Sequence, residues 1–80
     1  MIQNKILNRI ELNPKIMLGK PVIKGTRITV EIILKKLSQN ISVEDILTDY
    51  PKLTKEDIQA AIAYAASVGD TDEMLQLGVA

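Results

Sequence analysis

Apolar residues fall on helical stripes in the second half of the chain and follow no regular period in the first. Val30, Ile33, Leu34, Leu37 and Ile41 recur at i, i+3, i+4, i+7 and i+11, which predicts a helix over 30–40. Thr29 suits its N-cap, Ile28 can staple onto Ile33, and Asn40 suits the turn that ends it. A second stripe, Val43, Ile46, Leu47 and Tyr50, predicts a helix over 43–50. Ser42 caps it with Asp45 at the third helical position, Ile41 staples to Ile46, and Pro51 stops it. The third helix is expected over 55–68. Thr54 caps it, Asp57 completes a capping box and Leu53 staples to Ile58. Its core face is expected to be Ile58, Ala61, Ile62 and Ala65, and its outer face Glu56, Gln59, Ala60, Ala63 and Ser67.

Before residue 29 the pattern changes. Asn13-Pro14, Gly19-Lys20-Pro21 and Lys24-Gly25-Thr26 are turn punctuation. Between them, Ile10-Glu11-Leu12 and Val22-Ile23 predict two brief strands. A two-stranded ribbon is marginal alone, so this arm must pack on the helices or on another chain. The expected fold is mainly α. It is one domain over 1–80, with an extended β arm at 1–29, a three-helix unit at 30–68 and an acidic, apolar tail at 69–80.

Composition narrows the chemistry. The chain has no cysteine, histidine, tryptophan or phenylalanine and two tyrosines, so the core is aliphatic. A chain of 80 residues without disulfides or a thiolate metal site has oligomerisation as its remaining staple, and a homodimer is expected. Absent cysteine fits a reducing cytoplasm. Gln3, Asn4, Lys5, Asn8 and Arg9 interrupt every apolar run near the start, so no signal peptide is expected. No stretch approaches the ~20 apolar residues of a membrane span. The expectation is a soluble, cytoplasmic protein that does not engage membranes.

The zero net charge hides an asymmetry. Residues 1–36 carry eight cationic side chains and two carboxylates, whereas residues 37–80 carry two lysines and eight carboxylates. Such polarity suits two surfaces with different partners, or two halves that attract each other.

Residues 55–68 follow 43–50 at the spacing of a helix-turn-helix, with a third helix ahead of them. If they enter a DNA groove, Lys55 and Gln59 are the side chains available, while Glu56 repels phosphate. The competing reading is a packing unit without nucleic acid. Ala60, Ala63 and Tyr64 leave the helix small or apolar on most sides, which suits a dimer or partner interface. Met74, Leu75 and Leu77, beside Asp70, Asp72 and Glu73, offer a second such surface.

The most distinctive run is Gly19-Lys20-Pro21-Val22-Ile23-Lys24-Gly25-Thr26-Arg27-Ile28. With Lys20, Lys24, Thr26 and Arg27 it could cradle phosphate. Otherwise it is a conformational corner in which Gly25 turns the chain and Arg27 pairs with Glu31 or Asp49. Its spacing is not that of a Walker loop. Without histidine or cysteine, catalysis would need carboxylates and lysine or a metal. Glu44, Asp45, Asp49, Glu56 and Asp57 are better explained as charge placed at helix N-termini. No enzyme activity, metal site or cofactor is expected.

That run is preceded by Asn-Pro. It is followed by an apolar helix, by Ser-Val-Glu-Asp-Ile-Leu and Asp-Tyr-Pro, and by Leu-Thr-Lys-Glu-Asp-Ile-Gln-Ala-Ala. Over residues 9–67 the sequence resembles the bacterial domain-of-unknown-function family four-three-three. It departs at Leu18, where glycine is common in such motifs, a difference expected to matter little. The resemblance implies a homeodomain-like trihelical fold. It also implies an antitoxin of a type II toxin–antitoxin pair, encoded beside a PIN-like nuclease toxin that it binds, with operator DNA as a further partner. The alternatives are a DNA-binding regulator without a toxin and a homo-oligomeric interaction module.

Overall fold

A computed structural model describes residues 7–69. Two strands, β1 (Ile10–Glu11) and β2 (Val22–Ile23), flank a one-turn 3-10 segment (Met17–Gly19). Three α-helices follow: α1 (Val30–Ser38), α2 (Val43–Asp49) and α3 (Lys55–Gly69). The fold is mainly helical with a small antiparallel sheet near the N-terminus, as the sequence predicts. The strands pair in the register Ile10 with Ile23 and Glu11 with Val22.

Each helix starts where its cap residue stands. Thr29 Oγ1 accepts from the Ile32 N–H at 3.1 Å, and Ser42 Oγ from the Asp45 N–H at 3.1 Å. At α3 the box is reciprocal. Thr54 Oγ1 accepts from the Asp57 N–H at 3.2 Å, while Asp57 Oδ2 accepts from the Thr54 N–H at 3.0 Å. Such a cap is worth ~0.5–2 kcal/mol. Helix α1 ends two residues earlier than its apolar stripe predicts. Asn40 takes the left-handed region (φ 64°), the Ile41 N–H donates to Lys36 O and the Asn40 N–H to Leu37 O. This is the Schellman arrangement, which turns Ile41 back toward the core instead of extending the helix.

The distinctive run is built as a corner. The turn Ile23–Thr26 is closed by the Thr26 N–H donating to Ile23 O at 3.0 Å. Gly25 sits at φ 81° in its third position, as a type II turn requires. Thr26 Oγ1 donates to Ile23 O and accepts from the Ile28 N–H, so the hydroxyl is committed to the corner. The Ile23 N–H donates to Ile28 O and the Val30 N–H to Pro21 O. The run therefore folds onto itself and delivers the chain to the N-terminus of α1.

Ile23, Val30, Ile33, Ile46, Leu53, Ile58 and Ala61 form one core cluster, drawn from the arm, all three helices and the connection before α3. Ile28, Ile41 and Leu53 pack into it with Ile33, Ile46 and Ile58, the residues to which they were expected to staple. Two expectations for α3 fail. Ala60, expected outside, is fully buried, and Ile62, expected in the core, is 48% exposed. The rotation follows from Asp57. Its carboxylate faces inward, 6% exposed, because it also accepts from Arg9 Nη1 of the arm at 3.1 Å. An inward residue 57 brings 60 and 61 inward and carries 62 out, since successive residues lie about 100° apart.

The departure at Leu18 matters more than the sequence implied. Met17 (φ 48°), Leu18 (φ 59°, ψ 31°) and Gly19 (φ 82°) are consecutive left-handed residues. Glycine occupies that region freely, whereas leucine is strained there by about 1–2 kcal/mol. Its side chain is also 94% exposed.

Candidate functional site

The six residues expected to touch DNA do not converge. They separate into three places. Thr26 and Arg27 line a cleft of about 500 Å³ with Gly25, Glu11 and Lys52. Lys24 is exposed on the adjoining turn but does not line the cleft. Lys20 lies in a second depression and pairs with Glu31 at 3.0 Å, both side chains largely exposed. Lys55 and Gln59 line a third groove, between α2 and α3, with Val43, Glu44 and Ile62.

Lys52 is the residue that sequence reasoning missed. It stands in the connection between α2 and α3, after Pro51, where Leu53 N–H donates to Tyr50 O at 2.9 Å and tightens the turn. That turn brings Lys52 to the same cleft as Arg27, 25 positions earlier in the chain. No spacing rule would join them, because their proximity is purely tertiary. Among the described residues the ion pairs are Arg9–Asp57 and Lys20–Glu31. Arg27 therefore pairs with neither Glu31 nor Asp49, contrary to one sequence reading of the corner. Glu11 is the one carboxylate in the wall of the Arg27–Lys52 cleft. The depression at Lys20 has the same count, Lys20 and Lys35 against Glu31, but there Lys20 is already paired with the carboxylate. Arg27 and Lys52 have no ion pair among the described residues, which makes theirs the described cleft best suited to an anion.

The α2–α3 groove has a different character. Ile62 and Val43 supply apolar surface, and Glu44 stands opposite Lys55 and Gln59. Asp45 and Glu56 are exposed on the first turns of α2 and α3. A face of this composition is poorly matched to phosphate and better matched to protein.

The expected partner interface on α3 is likewise redistributed. Ala60 is consumed by the core. Ala63 and Tyr64 are half-buried, and Tyr64 walls an apolar groove of about 340 Å³ with Pro21, Val30, Leu34, Ala65 and Val68. Glu31 is the charged residue at that groove's edge. Met74, Leu75 and Leu77, with Asp70, Asp72 and Glu73, lie outside the described residues. Among the described residues no cluster of three or more His, Cys, Asp or Glu could hold a metal ion. No helix there is long and apolar enough to cross a membrane.

Residues 10–65 match the family described as Protein of unknown function (DUF433). The crystal structure of a DUF433 member protein from Anabaena variabilis is similar in fold, with a TM-score of 0.72 and 31% sequence identity. The similarity covers 80% of this chain and 63% of that one, so this chain spans less than two thirds of its length. Comparison with curated proteins gives no match.

Proposed function

This chain belongs to the DUF433 family, and from that premise we propose that it is a binding protein of the antitoxin type. In this reading it works in the cytoplasm as a homodimer, without catalysis, holding a PIN-like nuclease toxin and contacting operator DNA. The sequence resemblance supplies the toxin. The geometry supports two-sided binding through the contrast between the Arg27–Lys52 cleft and the acidic, apolar α2–α3 face. The observation that carries the nucleic-acid half is the convergence of Arg27 and Lys52 from distant elements without an ion pair among the described residues. Two such cations position a phosphate backbone but read no bases. Exposed Ile62, Glu44 and Glu56 leave α3 ill-suited to base reading, so the toxin is assigned to that side.

The experiment is co-expression with the neighbouring reading frame, followed by pull-down and by binding of a labelled duplex from the upstream region at several salt concentrations. The expected result is a stable protein complex. Arg27→Ala and Lys52→Ala should each lower the salt slope of DNA binding by about one unit. Absence of a protein complex overturns the antitoxin role. DNA binding without a toxin partner favours the regulator reading. Unchanged slopes in both variants remove the cleft from DNA contact.

A further inference from the structure

Two apolar features of the described surface have no partner among the described residues. One is a projection. Leu18 stands 94% exposed on a left-handed turn, and Met17 beside it is 43% exposed. The other is a recess, the apolar groove between Pro21, Leu34, Tyr64, Ala65 and Val68, floored by Val30. Leu18 does not fill this groove itself, as its exposure shows. The two features are nonetheless separated by only the two residues between Leu18 and Pro21. We infer that a second copy of this chain fills the groove with its Leu18, and that the exchange is reciprocal. This rests on the homodimer part of the proposed function and names its interface.

The geometry of a two-fold interface favours this occupant. In such an interface each surface patch meets its own copy, so a self-complementary patch must carry both the projection and the recess. Here Glu31 lines both the groove and the depression walled by Met17, which sets the two features side by side, and an axis between Leu18 and Pro21 would bring each to the other. Charge agrees with shape. Lys15 and Lys20 flank the projection, and Glu31, with its side chain 71% exposed, stands at the edge of the recess. Lys20 already pairs with Glu31 within the chain. A second copy docked in this way brings its Lys15 toward the same carboxylate. A left-handed leucine that packed on nothing would be strained without return. Seated in the groove, the same rigid turn presents an anchor whose backbone is already ordered, and pre-ordering favours binding.

The test uses the full chain and the fact that it contains no cysteine. Light scattering at micromolar concentration should give about twice the 8.9 kDa chain mass. Leu18→Asp should weaken self-association by at least tenfold, with the far-ultraviolet circular dichroism unchanged. Val68→Asp should do the same from the groove side, whereas Ile62→Asp, on the α2–α3 face, should leave the dimer intact. A Leu18→Cys chain mixed with a Val68→Cys chain should give a cross-linked dimer containing one of each under mild oxidation by copper phenanthroline. A monomer in the wild-type chain overturns both the homodimer and this interface. A dimer that Leu18→Asp leaves unweakened, or whose mixed cysteine chains fail to cross-link, overturns the interface and leaves the homodimer standing. Should Val68→Asp disturb the helix, the solvent-exposed Leu18→Asp variant and the cross-link still decide.

Discussion

The helical unit and the arm ahead of it are specified in different ways. Each helix carries its own start signal within a few residues: Thr29 to Ile32, Ser42 to Asp45, Thr54 to Asp57. The arm has two strands of two residues each, too little ladder to stand alone. The Lys24 N–H, donating to Arg9 O at 2.7 Å, extends that ladder by one bond, and Arg9 Nη1 ties the arm to α3 by donating to Asp57 Oδ1 at 3.1 Å. Yet Val22 and Ile23 are as deeply buried as Ile33 and Ile46. Burial, and not strand length, makes the arm part of the fold.

The largest test of this contrast is in the core. Ile23→Ala in the arm and Ile33→Ala in α1 should each destabilise by about 2–5 kcal/mol, since both side chains are buried in one cluster. Urea unfolding monitored by circular dichroism would measure it. A loss below about 1 kcal/mol for Ile23→Ala alone would make the arm an appendage instead of a wall of the core. Next comes the link between the regions. Asp57→Ala removes a helix cap and the partner of Arg9 together, and should cost about 2 kcal/mol. Arg9→Ala should cost less, because its side chain is 44% exposed. A double-mutant cycle would isolate the coupling between them. A smaller loss, about 1 kcal/mol, is expected for Gly25→Ala. There is room for the added Cβ, but the backbone stands at φ 81°. The smallest effect is Lys20→Ala, within about 0.5 kcal/mol, since both partners of the Lys20–Glu31 pair are exposed.

The same contrast decides what could be read in the sequence. Caps, stripes and the stop at Pro51 placed the three helices to within two residues, because each signal acts over one turn. The facing of α3 was misjudged at Ala60 and Ile62. Nothing local says that Asp57 must turn inward to meet an arginine 48 residues earlier. At the candidate site, Thr26 and Arg27 were legible from the run that contains them. Lys52 was not, because its place beside Arg27 exists only after α2 and α3 have packed. Leu18 was visible as a departure from the motif, but its weight depends on a left-handed backbone that only the structure shows.

The Arg9–Asp57 bond has a further consequence, in the order of folding. Joining residues 48 positions apart draws on chain entropy of roughly 3 kcal/mol, by the logarithmic dependence on loop length. One partly exposed ion pair does not offset that by itself, so the ends meet only once α2 and α3 have packed and shortened the effective loop. The helices then form the nucleus and the arm closes late. Substitutions at Arg9 should accordingly speed unfolding and leave the folding rate nearly unchanged, whereas loss of the Thr54 cap should slow folding. The cleft at Arg27 and Lys52 spans that late junction. The anion binding proposed for it would appear only at the last step of folding and be the first property lost when the chain begins to open.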